Sequence, residues 1–555
     1  MTVTLATFGE LFTTEYLALY FSLCALNTLL LFFSSSKFLL AFQQTGYKTR
    51  KYLKWFRSKN NTYIMRLILL SMLAFMFFGV LCMTFAPIVG EVIASFVGFI
   101  SYVLFSVIYV NTESAVNVKI KLKATRRLVR LCLTYGILLF ALSFGVLVLA
   151  DFIAVVLGSE VVEILRYSLV CITPLLAPLL ISLAGFLNKP MEAVIIRRYI
   201  KKTTMQLDSA KIIKIGVTGS YGKTTVKKIL DTILSQKYRV LSTPESYNTP
   251  LGISLTVKKL DSTHDIFIAE MGARHKGDIA DLAGIVKPQY AVLTGVNAQH
   301  LETFGSEEVV KSTKFELFES LGSNGKGFFS ADNDGSKELY EKFSGEKYSA
   351  GVCGDFVKAT EITVNENGLS FLLNISGESP IRCHTTLLGK HNISNICLAS
   401  AVAHKIGLTP SEIAQGINRL KSVGHRLELV TNNKDITIID DSYNANEDGV
   451  RAALEVLDSF NGRKIVLTPG MIELGKRENL ANYEFGKLLG VKADKVIIIG
   501  KHNAEMLIKG MLEVGMAREN IMFAKSLYKG NVLLNEILQK GDVVLFENDL
   551  PDTYN

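Results

Sequence analysis

Long apolar runs fill the first third of this chain, and short alternating ones fill the rest. The long runs cover Tyr16–Phe42, Ile64–Val89, Val92–Val110, Leu131–Leu157 and Val162–Leu187, with almost no charge inside them. A helix needs roughly twenty apolar residues to cross a hydrocarbon core, so residues 1–187 are expected to form about five transmembrane helices. Residues 188–210, basic and apolar by turns and carrying Pro190, read as an interfacial linker or a helix lying along the lipid surface. From residue 211 the pattern changes to β-rich runs (KIIKIGVT, YRVLSTP, HDIFIAEMG, QYAVLTGV) separated by helix-period segments. Such alternation predicts a parallel sheet with crossover helices, an α/β domain over 211–424. A strand-rich patch from Lys347 to Leu388 and the helical KHNISNICLASAVAHKIG close it, and a second alternating series predicts another α/β domain over 425–555.

Charge gives the membrane expectation a direction. Net charge is +12 up to Met205 and −3 beyond it, within +9 for all 555 residues. Lys48, Arg50, Lys51, Lys54, Arg57 and Lys59 follow the first run, and Lys119, Lys121, Lys123, Arg126 and Arg127 follow the third. Lys189, Arg197, Arg198, Lys201 and Lys202 follow the fifth, whereas the other two connections carry Glu91 and Glu160. By the positive-inside rule the N-terminus is outside and everything after Leu187 is cytoplasmic. The basic excess is thus a membrane-flank signal and not a nucleic-acid footprint. Arg166 reads as a snorkelling or interfacial residue, and nothing in the runs resembles an ion relay. The seven cysteines have no C-x-x-C spacing, which argues against a disulfide framework and a zinc site. Glu10 and Glu15 flank the first run where a cleavable signal would be basic.

The junction Lys211–Gln236 reads KIIKIGVTGSYGKTTVKKILDTILSQ: a strand, a Gly-rich loop and a helix. Thr218, Gly219, Ser220, Tyr221, Gly222, Lys223, Thr224 and Thr225 stand at the turn. Glycines let backbone N–H groups face phosphate oxygens, and the helix N-terminus adds partial positive charge. Lys223 then reaches the terminal phosphates of ATP, and the Thr224 hydroxyl a Mg²⁺ ion. Val217 stands where the common G-x-x-x-x-G-K-[ST] spacing has glycine, so the match is to the shorter core T-G-S-Y-G-K-T-T. Glu270 ends a strand expected beside this cradle and is a hard oxygen ligand for a second Mg²⁺. His300 follows the next strand. Taken alone, Lys314 reads as an exposed helix lysine, Asn392 as a helix cap and Asn248 as a turn residue.

Distinct blocks recur along the chain: E-M-G-A-R-H-K-G-D-I-A from Glu270, H-L-E-T-F-G-S from His300, K-F-E-L-F from Lys314, G-K-H-N-I-S-N from Gly389, H-R-L-E from His425 and D-D-S-Y-N-A-N from Asp440. On these, over roughly Ile213 to Val544, the chain resembles the Mur ligase family, its D-alanyl-D-alanine-adding branch above all. The resemblance implies an ATP-dependent amide ligase with a P-loop central domain and a Rossmann-like C-terminal domain, activating a carboxylate as an acyl phosphate. It implies that Thr224, Glu270, His300 and a carbamylated Lys314 hold two Mg²⁺ ions. Asn395 would meet adenine, Asp441 the ribose and Arg426 the phosphates, with ATP clamped between domains, while Asn248 would lie towards the acceptor.

Two departures qualify that expectation. Members of the peptidoglycan branch begin with a domain that holds the nucleotide end of a UDP-linked muramoyl peptide, and here apolar runs stand in its place. The acceptor is therefore expected to be lipid-linked, held by a partner protein, or chemically different. The D-alanyl-D-alanine-adding enzymes tend to carry a K-G-S-R-type segment after the last strand, where this chain reads FENDLPDTYN. The expected product is a cell-envelope peptide made from an amino-acid or dipeptide amine. A γ-glutamyl ligase acting on a capsule polymer and a P-loop ATPase driving transport are the alternatives, the second lacking an L-S-G-G-Q-like signature.

Overall fold

A computed structural model describes residues 14–57, 122–157, 173–245, 247–297, 304–422, 424–431, 435–442, 445–472 and 477–548, with the single positions Ile100, Leu104, Val107, Ile108 and Leu474. The chain divides into two compact units, one up to Ile195 and one over Ile196–Leu550.

Helices Thr14–Ser34, Ser36–Gln44, Thr49–Phe56, Arg126–Leu157 and the first part of Ala177–Ser209 build the N-terminal unit. Among the described residues two helices are long and apolar enough to cross a membrane, Arg126–Leu149 and Ala177–Ser209, or three if the bent pair at Ser35 counts as one span. The second apolar run, nearly all of the third, the start of the fifth and Arg166 lie outside the described residues. The first run is not one straight helix: Cys24–Ser34 and Ser36–Gln44 meet at 52°. Ser35 explains the bend, because its Oγ donates back to Leu31 O at 2.5 Å and lies 2.6 Å from the Tyr135 hydroxyl. A serine bonding to the previous turn bends a helix. Residues 188–209, expected as a linker, continue the helix that starts at Ala177 and carry Pro190 within it. Polar pairs fix the helices to one another: Asn27 to Ser143 at 2.9 Å, Thr134 to Asn188 at 2.8 Å, and Arg130 to both oxygens of Glu192 at 2.6 and 2.9 Å.

The second unit holds two sheets. The first contains β1 (Ile213–Thr218), β2 (Val240–Ser242), β3 (Ile266–Glu270), β4 (Tyr290–Leu293), β5 (Lys326–Ser330), β6 (Glu346–Gly351), β7 (Val357–Asn365), β8 (Gly368–Ile375) and β9 (Ile381–Thr385). Its order is β2-β3-β1-β4-β5-β6-β7-β8-β9, parallel through β7 and antiparallel beyond. Strands buried on both faces read as continuous apolar runs. Ile215, Val217 and Ile268 pack under helices Lys223–Leu234 and His391–Ile406, while Phe267, Ala269 and Leu293 pack under Asp278–Val286 and Glu307–Glu319. The second sheet contains β10 (Glu428–Thr431), β11 (Thr437–Asp441), β12 (Lys464–Thr468), β13 (Lys495–Ile499), β14 (Ile521–Ala524) and β15 (Val543–Glu547), in the order β10-β11-β15-β12-β13-β14. Only β10 is antiparallel. This placement brings the C-terminal ends of β1, β3 and β4 to one edge of the first sheet, and those of β11, β15 and β12 to one edge of the second.

Candidate active site

The loop between β1 and helix Lys223–Leu234 is shaped by two glycines that no other residue replaces. Gly219 has φ +153°, and a Cβ there would lie 2.0 Å from Thr294 Oγ1; Gly222 caps the helix at φ +73°. The strand ends around it hold the loop in place. Ser220 N donates to Gly295 O at 2.8 Å, Thr218 Oγ1 to Met271 O at 3.1 Å, and Thr294 Oγ1 to Tyr221 O. Tyr221 takes a hydrogen bond from Asn333 Nδ2 at 3.1 Å, and Asn333 also grips both backbone groups of Val296. Burial pushes the Tyr221 phenol up to about 12. Lys223 opens the helix and turns back, its Nζ donating to Gly219 O at 2.7 Å and Ser220 O at 3.1 Å. Burial is the main cause lowering its ammonium to about 8, Arg426 lowers it further and Glu270 opposes both. The lysine is thus parked on its own loop carbonyls, where an anion with more negative charge displaces them. Thr224 is buried in the first turn beside it, and Thr225 is half-buried.

Glu270 ends β3 next to this loop, 1% exposed. One carboxylate oxygen accepts from Lys227 Nζ at 3.0 Å and the other from Asn248 Nδ2 at 3.1 Å, while its backbone N–H donates to Thr243 Oγ1 at 3.0 Å. Lys227 also donates to Glu245 O. Asn248, a turn residue by sequence, therefore holds the carboxylate. Asn248→Ala removes one of its two side-chain donors and leaves that oxygen without its partner.

Lys314 is not the exposed lysine its helix pattern suggests: it is 3% exposed, with its ammonium 5.9 Å from the Phe304 ring centre. Helix Glu307–Glu319 buries Val310, Thr313, Phe315, Leu317 and Phe318 as well, so most of its surface is covered. Burial first, then the charge of Lys223, lowers Lys314 to about 7. Glu316 accepts from Gly277 N at 2.8 Å and Ala280 N at 3.0 Å, which ties this helix to the start of Asp278–Val286. Asn392 does not cap its helix; it donates to Leu388 O at 2.7 Å and accepts from Asn395 Nδ2 at 3.1 Å. Asn395 in turn faces the phosphate loop, since a Cβ on Gly222 would lie 3.1 Å from its Oδ1. His391, the first residue of that helix, is exposed. His300, with Tyr443 and Asn444, lies outside the described residues.

The second sheet contributes Asp441 at the end of β11. Its Oδ1 accepts from Leu427 N at 3.2 Å, and burial raises the carboxyl to about 6 against the pull of that bond and of Arg426. Helix Glu447–Asp458 begins just after it, and Asp448 accepts from Asn297 Nδ2 at 2.8 Å, joining the loop after β4 to the second α/β layer. Arg426 acts electrostatically on Lys223, Lys227 and Asp441.

Residues 217–403 match the Mur ligase middle domain, and 425–547 the Mur ligase, glutamate ligase domain. The UDP-N-acetylmuramoyl-tripeptide–D-alanyl-D-alanine ligase of Bacillus subtilis is 30% identical over 338 residues, 60% of this chain and 72% of that enzyme. The chain belongs to the Mur ligase family. The Escherichia coli enzyme of the same name is 32% identical over 301 residues, 52% of this chain and 65% of its own length. MurF from Acinetobacter baumannii superposes with a TM-score of 0.59 at 26% identity, covering 65% of this chain and 78% of that one. The MurF ligase of Thermotoga maritima, in complex with ADP, gives 0.58 at 27%, covering 64% and 80%. With the Mur ligase family comes an enzyme class, the ATP-dependent ligases that form amide bonds. Residues 1–216 lie outside both matched segments.

The Mur ligase site suits the ATP and Mg²⁺ that the family uses. The glycine loop leaves no room for side chains where phosphate would sit, and Glu270 offers an oxygen donor already oriented from both sides. Lys227, Thr294 and Asn333 are the residues that motif reading missed. Lys227 carries a signal in hindsight: it stands one helical turn after Lys223, on the face that meets β3.

Proposed function

We propose that this chain is a membrane-anchored ligase that joins an amino-acid or dipeptide amine to the carboxylate of a cell-envelope peptide precursor, at the expense of ATP. D-alanyl-D-alanine is the amine in the relatives' names, and a lipid-linked or partner-held peptide is the acceptor that the apolar N-terminal helices favour. What supports the reading is the glycine loop with Lys223 beside Glu270, together with the buried Lys314, whose ammonium feels the charge of Lys223, and Arg426, whose charge bears on Lys223 and Asp441. A transport ATPase has no use for Lys314, Arg426 and Asp441.

In this mechanism an oxygen of the acceptor carboxylate attacks the γ-phosphorus, the bond to ADP breaks, and an acyl phosphate forms. The amine nitrogen then attacks the acyl carbon, phosphate leaves with the carboxylate oxygen, and the nitrogen loses a proton. Lys223 leaves its loop carbonyls for the γ-phosphate, where it offsets the charge that gathers between two anions. Bound Mg²⁺, held by Thr224, Glu270, His300 and modified Lys314, would supply further positive charge at those oxygens. Asn395 and Asp441 orient the nucleotide, and Arg426 faces its phosphates. Carboxylate labelled with ¹⁸O tests the sequence of steps: one label per turnover is expected in the released phosphate. Unlabelled phosphate would remove the acyl-phosphate route.

Lys314 suits carbamylation, because CO₂ reacts with a neutral amine and burial favours that form. An ammonium lowered to about 7 is mostly protonated below pH 7 and mostly neutral above it. Depleting bicarbonate is therefore expected to lower ADP release several-fold, more severely at pH 6 than at pH 8, with recovery on adding it back. Lys314→Met is expected to be slow and indifferent to bicarbonate. Bicarbonate dependence persisting in that variant would remove the modification from Lys314.

Outward-facing apolar side chains support the anchor: Ile137 is 70% exposed, Leu133 64% and Phe186 59%. Such surface is stable in lipid and costly in water. The full chain is expected to stay with membranes through alkaline carbonate washing and to leave them only in detergent.

A further inference from the structure

The segment that carries Asn248 also carries large apolar side chains turned to the outside. Tyr247 is 42% exposed, Leu251 37% and Leu255 41%, yet Asn248 between them holds the Glu270 carboxylate. Helix Pro250–Val257 starts at Thr249, whose hydroxyl accepts from Gly252 N at 3.3 Å. Its inner side is fixed by Ile253 and Val257, which pack with Phe267 and Ala269 of β3. Leu251 and Leu255, four residues apart, share the opposite side, and the exposed Lys258 and Lys259 continue that stripe one turn further on. Tyr247 folds back onto the same helix, where Gly252 makes room: a Cβ there would lie 3.0 Å from Tyr247 Cα and Cβ.

The end of helix Ala177–Ser209 packs beside this stripe. Ile200 and Leu207 join the same core, Gln206 Nε2 donates to Leu260 O at 3.1 Å, and the Lys258 ammonium lies 4.2 Å from the Tyr199 ring centre. Helical spacing then puts Arg198, Lys201, Lys202 and Met205 on the outer side, all of them exposed and Met205 by 64%. Residues 196–209 and 247–260 together hold six lysines and arginines against one acid, Asp208, which is tied to Lys287 at 2.7 Å. Upstream, the same helix is one of the two that, among the described residues, are long and apolar enough to cross a membrane.

We infer that this face of the ligase lies against an anionic lipid surface, with Tyr247, Leu251 and Leu255 dipping into it and the lysines and arginines around them meeting its headgroups. Apolar side chains beside a basic rim are what an interfacial surface needs: burial of the first in lipid and attraction of the second to anionic headgroups add together. Water gives such side chains no comparable partner. Because Asn248 follows Tyr247 directly, the acceptor side of the site then opens at headgroup level, where a lipid-linked peptide presents its carboxylate. The assignment rests on the anchored-ligase reading and adds that the catalytic unit itself, beyond its anchor, meets the lipid.

Fluorescence quenching in the full chain tests it. The chain has one tryptophan, Trp55, so Trp55→Phe leaves an introduced tryptophan as the sole emitter. In that background Leu251→Trp, Leu255→Trp and, as a control at a residue 72% exposed on the second α/β layer, Tyr528→Trp are each reconstituted into vesicles of phosphatidylcholine and phosphatidylglycerol, with and without bromine on the upper acyl carbons. Emission from positions 251 and 255 is expected to fall at least twofold in the brominated vesicles, and that from 528 to stay unchanged. In phosphatidylcholine alone the fall at 251 and 255 is expected to shrink by half or more. Two positions keep the test open where one substitution disturbs the helix. Quenching at 251 and 255 no greater than at 528 overturns the inference and leaves this face to a protein partner, and equal quenching with and without phosphatidylglycerol overturns the assignment to anionic lipid. Release of the chain by carbonate washing counts against the anchor, whereas a retained chain with both positions unquenched counts against this inference alone.

Discussion

Lys223→Ala is expected to lower ADP release by about 10²- to 10³-fold, the usual cost of removing one charged or hydrogen-bonding group from a developing anion. The native lysine spends its resting state on Gly219 O and Ser220 O, which are weak neutral acceptors beside a triphosphate. Its transfer to the γ-phosphate is therefore a gain made on the reaction path. Alanine loses that gain while leaving the loop pinned by Ser220, Thr294 and Asn333 through bonds that do not involve residue 223. The fold should persist. A thermal unfolding curve close to the native one, together with lost turnover, is the combined result expected. Lys223→Arg should restore little, because a planar guanidinium does not fit where a compact ammonium turns within its own loop.

The second large effect falls on Glu270. Glu270→Ala deletes the oxygen donor proposed for Mg²⁺ and leaves Lys227, whose side chain is 4% exposed, without its ion pair. Breaking a buried pair from one side costs about 3–5 kcal/mol. Burial already disfavours the charged form of Lys227, and removing Glu270 takes away the largest effect that opposes it. The expected result is a clear fall in the unfolding temperature with ADP release down by about 10²-fold or more. Adding Lys227→Met to Glu270→Ala separates the two consequences. Stability should recover, since a neutral apolar pair replaces a lone buried charge, and activity should not. If activity returned with stability, Glu270 would be a structural residue only.

What was legible in the sequence depended on how local each arrangement is. The phosphate loop is written in consecutive residues, because Gly219, Gly222 and Lys223 must follow a strand directly to form a cradle. Glu270 was legible as a strand-end acid. Its two partners were not: Lys227 looks like one more surface lysine in VKKIL, and Asn248 like an ordinary turn residue, until β3 brings the carboxylate between them. Lys314 was misleading for a related reason. A lysine on a helix is normally solvated, and only the packing of Glu307–Glu319 against other elements on several sides buries it. The single serine that bends the first apolar helix has no signature either, since its effect needs the Tyr135 hydroxyl from another helix. Strand alternation did predict two α/β layers, because burial on both faces leaves a continuous apolar run wherever a central strand occurs.

In the proposed reaction, ATP cleavage is coupled to joining a carboxylate and an amine. The most direct test incubates the detergent-solubilised chain with Mg²⁺-ATP, an amine and, in separate reactions, UDP-linked and lipid-linked muramoyl tripeptide, with products read by mass spectrometry. Both D-alanyl-D-alanine and lysine are offered as amines. ADP release is expected only when acceptor and amine are present together, with one new amide per ADP. Steady ATP hydrolysis indifferent to both, with no joined product, would contradict it.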